Sequence, residues 1–259
     1  MKMQSSVHRR TGRSARNIQP LVLLCLAMVA LIASAWAASE PWRDKDYKTW
    51  TQDDVQKILW ESPWVKMVEV SAPWLKGRTQ YLTPMAVDCD GRPDMSRNDR
   101  TPTSWALGNN DSIVIYQVTW QSARTVRAAK LRQALLCGRG NAERGDEMLE
   151  DQPDDYIITV HSPDMTPFKG MDEDALTKAT TLWPKKGKKI NPESVSIQRY
   201  NGGGMPYMLT FKFPRKTDSG EPLIGKDEKE VEFASQVGKF TLKTRFQMQK
   251  MMVKDGPDL

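Results

Sequence analysis

The sequence predicts an α+β protein made mainly of antiparallel β-strands, arranged as a sandwich-like pair of sheets or a single curved sheet, with two or three short helices packed on it. Three observations predict this class. Apolar and polar residues alternate in several segments, which is typical of antiparallel strands with one buried face. Helical spacing of apolar residues is confined to short stretches. The composition, 39% hydrophobic and 27% charged, is that of an ordinary globular protein.

The first predicted helix begins after Thr51. Thr51 and Asp54 have the spacing of a capping box, in which each side chain bonds the other residue's backbone amide. Apolar residues at three- and four-residue spacing follow from Val55 to Leu59, as on one face of a helix. Pro63 ends the helix, because the residue before a proline is disfavoured in the helical region. A strand is predicted over 64–70.

A second strand and a second helix are predicted in the middle of the chain. Residues 113–120 alternate as a half-buried strand. Ser122 is the candidate N-cap of a helix that runs to Leu136, and Gly138 is suited to its C-terminal cap. Residues 138–155 read as a long charged connection, and they are the candidate boundary between two lobes.

The rest of the chain is predicted to be mostly β-structure. A hairpin is expected around Asn201–Gly204, because three consecutive glycines separate two alternating segments. The elements expected in this half are a strand at 156–161, a helix at 171–181, the hairpin strands at 195–200 and 206–213, and further strands at 230–233 and 240–248.

The first 38 residues have the pattern of an export signal. A basic segment precedes an uncharged apolar run at 21–38, and Ala35-Trp36-Ala37 provides a cleavable A-x-A site. We therefore expect residues 1–37 to be a secretory signal peptide, residues 38–259 to form a single globular domain, and the protein to be periplasmic or secreted. The alternative is a membrane anchor formed by uncleaved residues 21–38, since 18 apolar residues just span a bilayer.

The net charge of +6 resides almost wholly in this leader. Five of the 38 basic residues precede Leu21 and all 32 acidic residues follow it, so the remainder carries 33 basic and 32 acidic side chains. A nearly neutral body has no general attraction to nucleic acid or anionic lipid. The one strong basic run, Lys185–Lys189, is flanked by prolines and is interpreted as a solvated loop. We expect no nucleic-acid partner and no membrane span after signal cleavage.

Two cysteines remain beyond the leader, Cys89 and Cys137. Cysteine pairs in oxidising compartments are often bridged, so these two residues are the disulfide candidate. Two separate thiols are the alternative. Neither residue has the Cys-x-x-Cys spacing of a redox or zinc site.

Several classes of catalytic site are disfavoured. Beyond the leader the only histidine is His161, which excludes a metal site with two imidazoles within one chain. Asp88, Asp90 and Asp94 resemble part of a calcium loop, but the first and last ligand positions of an EF-hand lack carboxylates. A turn is the preferred interpretation, with an irregular oxygen-ligand site left open. We expect no cofactor, no metal and no catalytic residues that the sequence can name.

Tryptophan is enriched near the start of the body. These rings would suit a sugar or peptide platform if exposed, or would fix the first helix to the sheet if buried, which is the preferred interpretation. The ligand-binding candidates are Trp42, Trp50, Trp60, Trp64 and Trp74.

One segment resembles a known group of proteins. Residues 50–66, WTQDDVQKILWESPWVK, resemble the start of uncharacterised exported bacterial proteins with a W-T-x-x-D-x-x-K-I-L-x-x-S-P-W signature. The resemblance continues through VTWQSARTVR at 118–127 and FKFPR at 211–215. That family has no assigned activity, so the resemblance implies only an exported protein that folds as one unit.

These observations favour an exported, non-enzymatic protein that binds or scaffolds in the cell envelope, with an envelope protein or a glycan as its partner. The alternative is a carboxylate-dependent hydrolase acting on carbohydrate, since such enzymes need only two suitably separated Asp or Glu side chains. The acidic pairs in the sequence are interpreted as first turns of helices or solvated loops.

Overall fold

The computed structural model describes residues 40–75, 81–84, 89, 112–200, 204–217, 219–254 and 256–259. The predicted signal peptide and the acidic loop at Asp88, Asp90 and Asp94 lie outside these residues. Residues Pro41–Leu259 form one compact unit. In chain order the elements are α1 Pro41–Asp44, α2 Gln52–Glu61, β1 Val65–Ser71, β2 Tyr81–Leu82, β3 Ile113–Trp120, α3 Arg124–Leu136, α4 Ala142–Glu150, β4 Asp155–His161, α5 Glu173–Ala179, β5 Thr180–Pro184, β6 Ser194–Arg199, β7 Pro206–Pro214, β8 Glu230–Val237, β9 Phe240–Gln247, β10 Met252–Val253 and β11 Gly256–Pro257.

The architecture is α+β with mostly antiparallel sheets, as the alternation in the sequence predicts. The larger sheet has the strand order β1-β3-β4-β7-β6 with antiparallel neighbours, and β2 pairs with β3 in parallel. A smaller antiparallel sheet has the order β5-β8-β9. The predicted hairpin is β6–β7, and its tip at 201–203 lies outside the described residues.

Aromatic side chains from both sheets meet in the core. The ring centroids of Trp120 on β3 and Phe246 on β9 are 5.1 Å apart, and those of Phe211 on β7 and Phe233 on β8 are 5.5 Å apart. Both pairs are edge-to-face, a favourable aromatic geometry. The two sheets therefore pack face to face, which is the sandwich-like form of the predicted fold.

Strand β3 differs from its prediction in one respect. Tyr116 and Trp120 are fully buried, as expected for the core face, but Ile115 on the opposite face is also buried. Gln117 on that face donates from Nε2 to Leu59 O in α2 at 2.9 Å. The strand is central in the sheet and covered on both faces, so its burial is not confined to one side.

The ends of the predicted helices follow the local signals closely in two cases. Thr51 and Asp54 form the expected capping box of α2, and the helix ends at Glu61, before Ser62. Helix α3 ends with Gly138 at a φ of 67°, a left-handed conformation that favours glycine. The amides of Gly138 and Arg139 there bond the carbonyls of Leu135 and Ala134, which satisfies the last turn.

Two helical predictions need correction. Helix α5 ends at Ala179, because Thr180 enters β5, where its hydroxyl lies 2.9 Å from the Ser235 hydroxyl of β8. The charged segment 138–155 is not an uninterrupted connection, since it contains α4. The described residues therefore carry more helices than the two or three expected. Helix α3 contacts both α2 and α4.

Candidate functional site

A cleft of about 940 Å³ opens where the start and the end of the described chain meet. Its lining residues come from four segments: 42–50, 122–128 at the start of α3, 146–152 around the end of α4, and 253–254 with 256–259. We call this feature the tail cleft, and we call residues 256–259 the tail.

The tail supplies the N-terminal cap of α3. The Asp258 carboxylate accepts hydrogen bonds from the backbone amides of Arg124 (2.6 Å) and Thr125 (2.8 Å). Such a carboxylate satisfies amides that have no partner inside the helix and interacts favourably with the helix dipole. The N-cap position itself is occupied by Ala123, which has no capping side chain.

Ser122, the predicted cap, has another role. Its hydroxyl accepts a hydrogen bond from the Ile157 amide at 3.1 Å, which links the start of α3 to β4. The prediction of a Ser122 cap is therefore wrong: the helix occurs where it was expected, but Asp258 provides the cap.

The tail is held along its backbone as well. The Asp258 carbonyl accepts from Trp64 Nε1 at 2.6 Å, and the Asp258 amide donates to Met251 O at 2.9 Å. The Leu259 carbonyl accepts from Arg215, whose guanidinium lies 4.5 Å from the centre of the Tyr156 ring. Asp258 and Leu259 are each only 8% exposed, whereas Pro257 is exposed, so the buried part of the tail is its last two residues.

A three-residue cluster joins the opposite walls of the cleft. The Tyr47 hydroxyl donates to Asp146 Oδ1 at 2.5 Å, and the Lys48 ammonium donates to Asp146 Oδ2 at 2.6 Å. Two hydrogen bonds lower the pKa of Asp146: the larger effect comes from Lys48 and the smaller from Tyr47. Burial, followed by the hydrogen bond to Asp146, raises the pKa of Tyr47 to about 12. The cluster at neutral pH is an ionised carboxylate between a neutral phenol and a cation.

Arg127 caps the C-terminus of α4 inside the cleft. Its Nη1 donates to Met148 O (2.9 Å) and Asp151 O (2.7 Å), and its Nη2 donates to Leu149 O (3.3 Å). A cation is favourable there because the last carbonyls of a helix carry partial negative charge. Burial lowers the pKa of the Arg127 guanidinium, while the charge of Asp258 opposes that shift.

Four charged side chains on the rim are available to a ligand. Arg124 and Lys254 provide positive charge, and Asp44 and Glu150 provide negative charge; all four are exposed. Within the described part of the chain, none of them has a hydrogen-bonded side-chain partner. The rim therefore presents both signs of charge around a partly apolar interior.

The structure brings two of the five candidate tryptophans to this cleft. Trp42 and Trp50 line it, although they are only 9% and 3% exposed. Trp64 is fully buried and meets Trp42 edge-to-face at 5.7 Å. These three rings act mainly as the packed support beneath the cleft.

The other two tryptophans are not among the lining residues. Trp74 Nε1 donates to Asp164 Oδ2 at 2.9 Å, and its ring contacts Phe240 at 5.9 Å. Trp60 is half-buried against the core. The five rings therefore do not form one shared platform.

The sulfur atoms of the candidate disulfide, Cys89 and Cys137, are 2.07 Å apart, at disulfide distance. No group of three or more possible metal ligands occurs within the described residues. His161 lies on β4 opposite Gln117 and does not line the tail cleft. Burial lowers its pKa.

Sequence reasoning named Trp42 and Trp50 but did not find the carboxylates that join the parts of this site. Asp258 and Asp146 contact partners 134 and 99 positions away, and no local pattern records such separations. One local signal was available for α4, namely an asparagine just before the helix. The Asn141 side chain accepts a hydrogen bond from the backbone amide of Arg144 at 3.4 Å, as an N-cap residue does.

Comparison of the chain with protein-family models, curated sequences and solved structures found no match. The resemblance to exported proteins with the W-T-x-x-D signature therefore stays a prediction. Among the residues that the structure describes, no helix is long and apolar enough to cross a membrane. The fold and the cleft define the class of molecule: an α+β protein in which a segment of its own chain lines the tail cleft.

Proposed function

We propose that this is an exported, non-enzymatic binding protein of the cell envelope, and that the tail cleft holds an extended peptide segment of a partner protein. The observation that carries the proposal is the tail itself. The side chain, amide and carbonyl of Asp258 are bound by four separate groups of the fold, two of which are the backbone amides at the start of α3. These are the contacts by which a protein surface recognises a peptide.

The charge distribution on the rim supports a peptide of mixed charge. The basic side chains of Arg124 and Lys254 and the acidic side chains of Asp44 and Glu150 are exposed around the cleft. Complementary charges on a partner would orient it and raise its association rate more than they would raise its affinity. Trp42 and Trp50 beneath the cleft keep its walls fixed, which lowers the conformational cost of binding.

The state of the carboxylates favours binding over acid catalysis. A glycosidase needs one carboxylic acid with a raised pKa. In the cleft, Asp258 accepts two backbone hydrogen bonds, and the pKa of Asp146 is lowered by Lys48 and Tyr47. A carbohydrate hydrolase stays a prediction, and no contact among the described residues of the cleft favours it.

The sulfur pair supports the export part of the proposal. Cys89 and Cys137 are at disulfide distance, and structural disulfides persist mainly in oxidising compartments. Cell fractionation with N-terminal sequencing of the native protein tests this part separately: we expect envelope or medium material that begins near Ala38. Full-length protein in the cytosol would contradict it.

The binding proposal is tested by screening the purified protein against a peptide array and a glycan array. We expect peptides of mixed charge to bind, and Arg124→Glu to slow the association of a bound peptide about tenfold at low salt because it reverses a rim charge. Lys178→Glu is the matched control, since Lys178 is exposed on α5 and is not among the lining residues. Binding to glycans alone, or equal effects of the two substitutions, would contradict the proposal.

A further inference from the structure

A second groove, of about 560 Å³, lies at one end of the smaller sheet. Four lysines from three separate segments line it, together with two glutamates and two glutamines. We call it the lysine groove; its residues are Lys185, Lys186, Glu228, Lys229, Glu230, Gln247, Gln249 and Lys250.

A buried carboxylate fixes the floor of this groove. Glu228 is 6% exposed, and its two oxygens accept hydrogen bonds from the backbone amides of Lys186 (2.9 Å), Lys229 (2.9 Å) and Glu230 (3.3 Å). These bonds hold the loop after β5 against the start of β8. Because the carboxylate faces backbone amides, it serves to shape the groove and does not form an ion pair with the lysine side chains.

The lysine charges are only partly compensated. Lys186 forms an exposed ion pair with Asp227 at 2.7 Å, and Glu230 lies 3.6 Å from Arg245. Within the described residues, the ammonium groups of Lys185, Lys229 and Lys250 have no carboxylate partner. Lys66 is a further cation near Lys250. Its pKa is lowered mainly by burial and secondly by the charge of Lys250.

We propose that the lysine groove binds a phosphate-bearing ligand. Several ammonium groups held on fixed backbone favour a compact, multiply charged anion, because each cation contributes a charge-assisted hydrogen bond. The side-chain amides of Gln247 and Gln249, which also line the groove, are neutral hydrogen-bond donors. The nearly neutral overall charge of the body does not conflict with this site, since it is the local grouping of lysines that creates the attraction.

Phosphate could reach this groove from a soluble compound or from a lipid headgroup. Trp183, two residues before Lys185 on β5, is 38% exposed, and the Lys189 ammonium lies 5.2 Å from its ring centre. A tryptophan beside lysines is typical of proteins that touch a membrane surface. The experiment therefore needs one arm for each source.

The first arm titrates the purified protein with pyrophosphate by calorimetry at low salt. The double variant Lys185→Gln/Lys250→Gln removes two groove cations, and Lys178→Gln/Lys239→Gln removes the same charge from exposed positions outside the groove. We expect the groove variant to bind at least about tenfold more weakly than the control variant. Thermal melting of both variants verifies that they are folded.

The second arm measures sedimentation with phosphatidylcholine vesicles, with and without phosphatidylglycerol. Binding of pyrophosphate that depends on the groove, without vesicle binding, supports a soluble ligand. Groove-dependent binding to the anionic vesicles supports a lipid headgroup. If neither probe binds, or if the groove and control variants behave alike in both arms, the proposal is overturned.

Discussion

Removal of the Asp258 carboxylate is the sharpest test of how the tail stabilises the fold. In Asp258→Ala the amides of Arg124 and Thr125 lose the acceptors that lie 2.6 and 2.8 Å away. Loss of an N-cap side chain costs about 1 kcal/mol, and loss of a negative charge at a partly buried helix N-terminus costs about another 1–2 kcal/mol. We expect the free energy of unfolding to fall by about 2–3 kcal/mol.

The conservative variant separates charge from hydrogen bonding. Asp258→Asn removes the charge but keeps one side-chain oxygen as an acceptor, so it is expected to lose about half as much stability as Asp258→Ala. Urea unfolding at pH 7 measures both variants, and an unchanged slope with a lower midpoint identifies a true loss of stability. Native-state hydrogen exchange is expected to accelerate at the Arg124 and Thr125 amides.

Asp44→Ala is the matched control for these variants. Asp44 lines the same cleft but is exposed, so its removal should change stability by less than about 0.5 kcal/mol. If Asp258→Ala and Asp44→Ala have the same midpoint, the tail does not cap α3 in solution and the reasoning about the tail cleft fails.

Three further predictions concern other parts of the fold. Thr51→Ala breaks the capping box of α2 and should lower the free energy of unfolding by about 1 kcal/mol in urea; no change would mean that tertiary contacts alone fix this helix. Reduction of the Cys89–Cys137 pair, which spans 48 positions, should lower the free energy of unfolding by about 4 kcal/mol. Equal alkylation of both thiols with and without reductant would rule the bridge out. Burial lowers the pKa of His161 from 6.5, so the unfolded chain binds this proton more readily, and stability should decrease as pH falls from 6.5 towards the folded-state pKa. His161→Gln should remove that component of the pH profile, and an identical profile in the variant would show that the component has another source.

Local rules were sufficient for much of the secondary structure. Strands β3 and β9 and the hairpin β6–β7 appear where alternation and glycines predict them, because side-chain direction in a strand repeats every two residues. The capping box at Thr51 was also predictable, since both of its partners lie within one helical turn. These features depend on neighbours in the chain, which a single sequence records directly.

Helix α4 shows why a local rule can mislead. Gly145 lies in the middle of this helix, and glycine there is unfavourable by about 1 kcal/mol relative to alanine. A Cβ atom at Gly145 would lie 2.7 Å from Leu131 Cδ2 of α3, so the glycine allows the two helices to approach closely. Packing against α3 outweighs the low helix propensity of Gly145. The sequence pattern around Gly145 gives no sign of this packing.

The tail cleft depends entirely on contacts between distant positions. The start of α3 was predicted, yet its cap comes from Asp258, because Ser122 bonds β4 through the Ile157 amide. Asp146 likewise joins α4 to Tyr47 across 99 positions. Helix α3 could therefore be predicted from the sequence, whereas α4 and the contacts that form the site could not.

One carboxylate thus couples the stability of the fold to the occupancy of the cleft. A partner peptide that displaces Asp258 must replace two charge-assisted hydrogen bonds at the start of α3, so a peptide that carries its own carboxylate has the advantage over a neutral one. Asp258→Ala removes the internal competitor as well as the cap. It follows from the proposed function that this variant should be less stable alone yet bind acidic partner peptides more tightly, whereas a purely structural tail would show the loss of stability without the gain in binding.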